Sequence, residues 1–211
     1  MTFTRSAGVL LHPTSFPSRY GIGDLGEAAY RFVDFLAGAG QTLWQVLPLG
    51  PTGYGDSPYQ CFSAFAGNPM LIDPEQLIGA GLLSWDELNW ELPDFPHDKV
   101  DYGWVINWKL PLLKRTFYRF RDTASPDLEL DFKIFCVDNA EWLDDYALFM
   151  ALKDAHGGAA WNTWELDIRT RKPEALARWR GQLAEPVQMV KYLQWLFFRQ
   201  WEQLKGYANE R

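Results

Sequence analysis

Cysteine is scarce. Cys61 and Cys136 are the only two in 211 residues, they lie far apart, and neither belongs to a metal-like spacing. A disulfide framework is thereby excluded, and the pair reads as buried thiols of a reducing compartment. Histidine is nearly as scarce, and His12, His97 and His156 stand isolated. No triad or His-based metal spacing can be drawn from them. No G-x-S-x-G elbow and no Walker loop occurs. No apolar run approaches the roughly 20 residues of a membrane span. The start of the chain, Met1-Thr-Phe-Thr-Arg5-Ser-Ala-Gly, is too polar for a signal peptide, so the expectation is a cytoplasmic protein. Basic residues are outnumbered, 20 Lys and Arg against 27 Asp and Glu, a net charge of −7. Nucleic acid and anionic membrane surfaces, which need a basic face, are excluded as partners.

What is abundant is aromatic. Eleven Trp, nine Tyr and 14 Phe make up 16% of the chain. Most such rings are core pieces, but flat rings also stack on the apolar faces of sugars, so carbohydrate stays among the ligands to consider. Apolar residues at 47% supply enough mass for a sizeable core.

Residues 7–11, Ala-Gly-Val-Leu-Leu, read as a short strand buried on both faces. A loop rich in turn formers follows over 12–23. Asp24 and Glu27 then read as the N-cap and third position of a helix, with Ala29, Phe32, Val33 and Leu36 on one stripe. Residues 42–47 read as a second strand. The unit 7–47 is therefore βαβ with parallel strands. Its two following loops, 12–23 and 48–70, should lie side by side where parallel α/β folds keep their sites. Beyond residue 70 the pattern turns helical. Short helices start at Asp73 and Ser84, 91–106 is broken by proline and glycine, and 107–122 is helical with Pro111 in its first turn. One or two helices span 130–155, a Trp-rich loop covers 159–172, helix restarts over 173–182, and a long helix occupies 185–205.

Gly21-Ile-Gly23-Asp-Leu-Gly26 matches the dinucleotide fingerprint in letters. Nine residues separate it from the preceding strand and no acid ends the next one, so it reads as loop and helix start rather than as a nucleotide site. No cofactor is implied. The segment 48–70 is long for a connection of this kind. It sets Tyr54, Asp56, Ser57, Tyr59 and Gln60 among rigid Pro and Gly. One reading is a proline-stiffened loop packing its own rings. The other is a polyol site, in which tyrosines stack on sugar faces and polar groups take hydroxyls.

The chain resembles the amylomaltases, the 4-α-glucanotransferases of glycoside hydrolase family 77. The matching stretches are Gly8–Gly26, Trp44–Gln60, Asn68–Asp73, Val100–Gly103 and Tyr146–Lys153, over nearly all of the sequence. The resemblance implies the start of a (β/α)₈ barrel: residues 1–70 as the first βαβ with its loops, 71–184 as a helical insertion, and 185–211 as a helix leading to a third strand that is absent. It implies retaining transfer of α-1,4-glucan segments between maltodextrins, which needs two carboxyl groups about 5–5.5 Å apart. Carried over, Tyr59 lines the subsite of the attacked glucose with Ser57 beside it, Tyr54 and Tyr102 stack on glucan at a secondary groove, and Asp56 organises the loop. The family's catalytic carboxylates come from later strands, so they are expected beyond Arg211 and none in this chain is catalytic. The alternative of another class is a maltodextrin-binding helical module that does no chemistry. A third is a split enzyme, completed by the missing C-terminal part of the barrel as a partner.

Overall fold

A computed structural model describes residues 5–90 and 92–211 and, at residue 54, the backbone alone. The polar start Met1–Thr4 lies outside them. The chain is mostly helical around a two-stranded parallel sheet, β1 (Gly8–Leu10) and β2 (Leu43–Gln45), in the register Gly8↔Leu43, Val9↔Trp44 and Leu10↔Gln45. It divides into two units. One comprises the residues up to Ala124 together with Leu196–Arg211, and the other is Ser125–Trp195. Among the described residues no helix is long and apolar enough to cross a membrane. Cys61 and Cys136 are free thiols, half-buried rather than fully enclosed.

In the first unit, α1 (Glu27–Gly38) joins the strands and buries Ala29, Val33 and Leu36, three residues of the anticipated stripe. Its N-cap is Gly26 and not Asp24. Asp24 is buried instead, its carboxylate accepting from the Gly26 amide at 3.0 Å. The capping motif in the sequence thus folds two residues early and turns the carboxylate inward. The first strand, read as buried on both faces, also differs from expectation. Leu10 is 55% and Leu43 46% exposed, because a sheet of two short strands presents faces that these 211 residues leave uncovered.

Helices α2 (Pro74–Gly79) and α3 (Trp85–Trp90) begin as the sequence suggests. Asp73 caps the first, accepting from the amides of Glu75 and Gln76. Ser84 and Glu87 form a reciprocal capping box at the second, and Arg119 pairs with Glu87 at 2.6 Å. Helix α4 (Tyr102–Thr123) starts five residues before the anticipated position. Asp101 accepts from the Trp104 amide and overrides Gly103, so Pro111 falls in the helix interior. An interior proline costs about 3 kcal/mol. Burial of Trp108 and Lys109 before it and of Leu112 and Leu113 after it holds the helix together.

Lys109 is the least expected core residue. It has no exposed surface, and its ammonium donates to the Met70 carbonyl at 2.7 Å with Asp24 Oδ2 at 3.9 Å. Burial pushes the Asp24 carboxyl up and the Lys109 ammonium down, and their mutual attraction opposes both shifts. Gln200 closes the same region with a two-way bond to the Asp73 backbone, 2.7 Å and 3.0 Å.

The second unit holds α5 (Pro126–Asp138), α6 (Ala140–Ala155), the short α7 (Leu166–Arg169) and α8 (Pro173–Gln182). The long α9 (Ala184–Asn209) contributes residues to both units. Two helices, not one, occupy the 130–155 region, with Asn139 ending the first and capping the second. The core here is Leu148, Leu152, Trp164, Ile168 and Ala175. His156 closes α6. Its Nδ1 lies 2.7 Å from the Leu152 carbonyl, its Nε2 lies 2.8 Å from Glu165, and the ring stacks on Trp164. Both nitrogens face acceptors, so the imidazolium fits and its pKa is raised, chiefly by Glu165.

Two predictions follow from these interiors. Lys109→Met leaves the Asp24 carboxyl buried without its cation and should destabilise the first unit by about 3 kcal/mol. Adding Asp24→Asn should return part of that loss, read by urea unfolding. For His156, a raised folded-state pKa stabilises most below the unfolded value near 6.5, and that gain fades as pH rises through the raised value. His156→Gln should therefore lower the melting temperature at pH 5.5 and change it little at pH 9.

Candidate active site wall

The parallel ladder brings the two following loops together. Leu11 donates to the Gln45 carbonyl at 3.0 Å, and the Trp44 indole N–H donates back to the Leu11 carbonyl at 2.8 Å. Trp44 also packs edge-on against Phe32 at 5.4 Å and near Phe16 at 5.8 Å, which fixes the end of β2 against α1. After β1 the chain makes a 3-10 turn at Pro13–Ser15, capped by the His12 ring. Gly23 lies against this turn so closely that a Cβ would stand 2.1 Å from the Pro13 carbonyl. The middle glycine of the fingerprint is there for close backbone approach, as the loop reading expects.

The segment after β2 folds as a hairpin. Its base is pinned by Asn68 donating to the Leu49 carbonyl at 2.8 Å. Thr52 and Cys61 form an antiparallel bridge, and Gly53 donates to the Gln60 carbonyl at 2.9 Å. The tip, 54–60, begins with a 3-10 turn at Tyr54–Asp56. Gly55 (φ 73) and Asp56 (φ 54) both take left-handed backbone there. Gln60 then donates to the Ser57 carbonyl at 3.1 Å, and Ser57 Oγ accepts from the Tyr59 amide at 3.3 Å. Beyond the tip, Ser63 Oγ accepts from Phe65 and Ala66, and Asn68 Oδ1 accepts from Met70. The hairpin is thus held by scattered turn and side-chain hydrogen bonds rather than by a regular ladder.

Five of the six residues singled out in the sequence meet at this tip: Tyr54, Asp56, Ser57, Tyr59 and Gln60. The Tyr59 ring is 70% exposed, Gln60 is exposed, and Asp56 and Ser57 are half-buried. The stacking face expected of Tyr54 lies outside the described side chains. Tyr102 is placed apart from them, half-buried at the start of α4. It lines a cavity of about 510 Å³ with Thr14, Ile22 and His97, and no tip residue is among its described walls. A larger cavity of about 720 Å³, walled by Tyr20, Tyr30, Asp24 and Glu75, likewise contains none of the tip. Its Tyr20 hydroxyl donates to Glu75 at 2.6 Å, and burial holds that phenol well above its usual pKa.

Three features escaped the sequence reading. Phe62 (40% exposed) and Phe65 (67% exposed) add rings to the hairpin, and their position in the same aromatic loop was the available signal. The tie from His12 to Pro48 has no local signature, because its partners are 36 residues apart. Nor does Lys109 announce that it clamps the loop's end at Met70. Among the described residues no group of His, Cys, Asp or Glu is arranged to hold a metal ion.

The surface so built is an open wall of rings and hydroxyl-bonding groups, suited to lying along a sugar chain. Comparison with known proteins places the chain in a family. The family profile described as 4-alpha-glucanotransferase matches residues 11–211. The chain is 52% identical to the 4-alpha-glucanotransferase of Thermus thermophilus and 50% identical to that of Synechocystis sp., spanning 99% and 98% of this chain. In both cases it covers 41% of the relative, so it spans about two fifths of their length. Among solved structures, an amylomaltase from Streptococcus agalactiae in complex with acarbose superposes with a TM-score of 0.90 at 39% identity. That match covers 98% of this chain and 41% of the other. An amylomaltase from Corynebacterium glutamicum shares the fold alone, with a TM-score of 0.76 at 20% identity over 97% of this chain and 28% of the other. With the profile running from Leu11 to Arg211, the chain belongs to the 4-alpha-glucanotransferase family.

Proposed function

We propose that this chain supplies one wall of the glucan site of a 4-α-glucanotransferase that moves α-1,4-glucan segments between maltodextrins by a retaining double displacement. The observation that carries the proposal is the hairpin tip. It holds Tyr59 out to solvent on a turn closed by the bonds from Gln60 and Tyr59 to Ser57, in a chain half-identical to transferases of that name. In this reading Tyr59 lies against the glucose under attack, with Ser57 and Gln60 bonding hydroxyls nearby. Tyr54 and Tyr102 take glucan at a secondary groove. Asp56 organises the loop, and its left-handed backbone supports that role.

The two parallel strands are the start of a (β/α)₈ barrel, with 71–184 as its helical insertion and 185–211 leading toward a third strand. The acid/base and nucleophile carboxylates, about 5–5.5 Å apart in such chemistry, belong to polypeptide beyond Arg211, the partner that completes the barrel. The uncovered faces of β1 and β2 support this completion. The working compartment is the cytoplasm.

The test uses this chain continued through the remaining family length, with maltotriose as substrate and glucose release as readout. Burying a ring of this size against substrate is worth roughly 1.5–3 kcal/mol, so Tyr59→Ala should lower kcat/KM about tenfold to hundredfold. Unchanged turnover would sink the assignment of the wall. The 211-residue chain by itself should release no glucose from maltotriose, and any release would place the carboxylates within it.

A further inference from the structure

The His12 ring stands at the C-terminal end of β1 with a partner on each side. Nδ1 accepts from the Thr14 amide at 3.3 Å and lies 2.8 Å from the Thr14 hydroxyl. Nε2 lies 3.4 Å from the Pro48 carbonyl. A carbonyl can only accept, so Nε2 carries the hydrogen. A backbone amide can only donate, so Nδ1 must be bare. The two contacts together fix one neutral tautomer.

The partners matter because of where they lead. Thr14 and Ser15 line the cavity that contains Tyr102. Pro48 is the residue from which the Tyr59 hairpin departs. One imidazole therefore joins the two places at which the function proposed above puts glucan. We propose that His12 is a positioning residue, whose Nε2–H tautomer ties the root of the Tyr59 hairpin to the Thr14 turn, and that a proton on Nδ1 uncaps this turn and weakens glucan binding on the acid side.

The chemistry of the uncapping is direct. Protonated Nδ1–H faces the Thr14 N–H, two donors with no acceptor between them. The Thr14 hydroxyl can rotate to accept, but the amide that the ring capped is left open. The bond to Pro48 survives, so the loss falls on the turn and on the cavity it lines. The segments bonded to the ring, 13–15 and 46–48, carry no charged or titratable side chain. Burial lowers the pKa of His12 and the Pro48 carbonyl opposes it, with no charged group contributing. The neutral ring is thus the resting form at pH 7.

The inference rests on the glucan reading for its ligand and on geometry for its latch, and two measurements separate them. In long-range ¹H–¹⁵N spectra of the chain, His12 should show the Nε2–H tautomer, and the Thr14 amide should shift with the same midpoint as the ring, below pH 6.5. In titrations with maltoheptaose, affinity should fall about tenfold between pH 7.5 and pH 5, the loss of one hydrogen bond. His12→Gln offers an amide N–H to Pro48 and an oxygen to Thr14 without titrating. It should hold wild-type affinity within about threefold at pH 7.5 and keep it at pH 5. His12→Ala should bind about tenfold more weakly at both pH values. An Nδ1–H tautomer, or the same acid fall in His12→Gln, overturns the proposal. Wild-type chain that binds no maltoheptaose at any pH, while ring and Thr14 amide titrate together, defeats the glucan reading and upholds the capping role.

Discussion

The ammonium of Lys109 is the constraint on which the first unit turns. It is wholly buried, bonded to the Met70 carbonyl and close to Asp24. One side chain from α4 therefore fixes the end of the hairpin that follows β2 and the start of the segment that enters α1. The desolvation of two charges is costly and is offset only while both are present. That makes the junction specific, since the buried ammonium is satisfied only while the Met70 carbonyl stands in front of it. The opposite end of the same hairpin is held by β2 and by the His12 ring. A loop of more than 20 residues is thus pinned at both ends, and its tip is free to serve a ligand rather than the fold.

How much of this could be read in advance depended on range. The two strands, α1 with its stripe and the helix start at Ser84 all follow from patterns within a few residues, and the sequence carries them openly. The hairpin residues were also visible, because Pro and Gly around Tyr and Ser are a local pattern. The misreadings share a cause in long-range packing. Asp24 looked like a helix cap until Lys109, 85 positions later, required it inside. Pro111 looked like a first-turn residue until burial on both its sides carried the helix through it. The strand read over 7–11 looked doubly buried because its composition is apolar, whereas composition does not say whether a covering layer is at hand.

The division of labour around the tip also clarifies what sequence similarity transfers. The match to 4-alpha-glucanotransferases extends through both units, yet the residues proposed to meet a sugar are few, those at the hairpin tip and Tyr102 apart from them. The remainder does structural work of kinds the residues make plain: aromatic packing about Trp44, a two-way bond at Gln200, and an ion pair between Arg119 and Glu87. Glu87 is held below its usual pKa chiefly by that guanidinium, which marks it as a structural anion.

The successive left-handed residues at 55 and 56 have an implication for sequence drift. A side chain other than Asn, Asp or Gly in that conformation strains the backbone by roughly 1–2 kcal/mol. Saturation mutagenesis read out by folding alone would accordingly accept only a narrow set there, whether or not the Asp56 carboxylate ever meets a hydroxyl. Invariance at these two sites across relatives would report turn geometry first. Recognition of a ligand is better sought in the neighbours without left-handed backbone whose side chains stand out to solvent, Tyr59 above all.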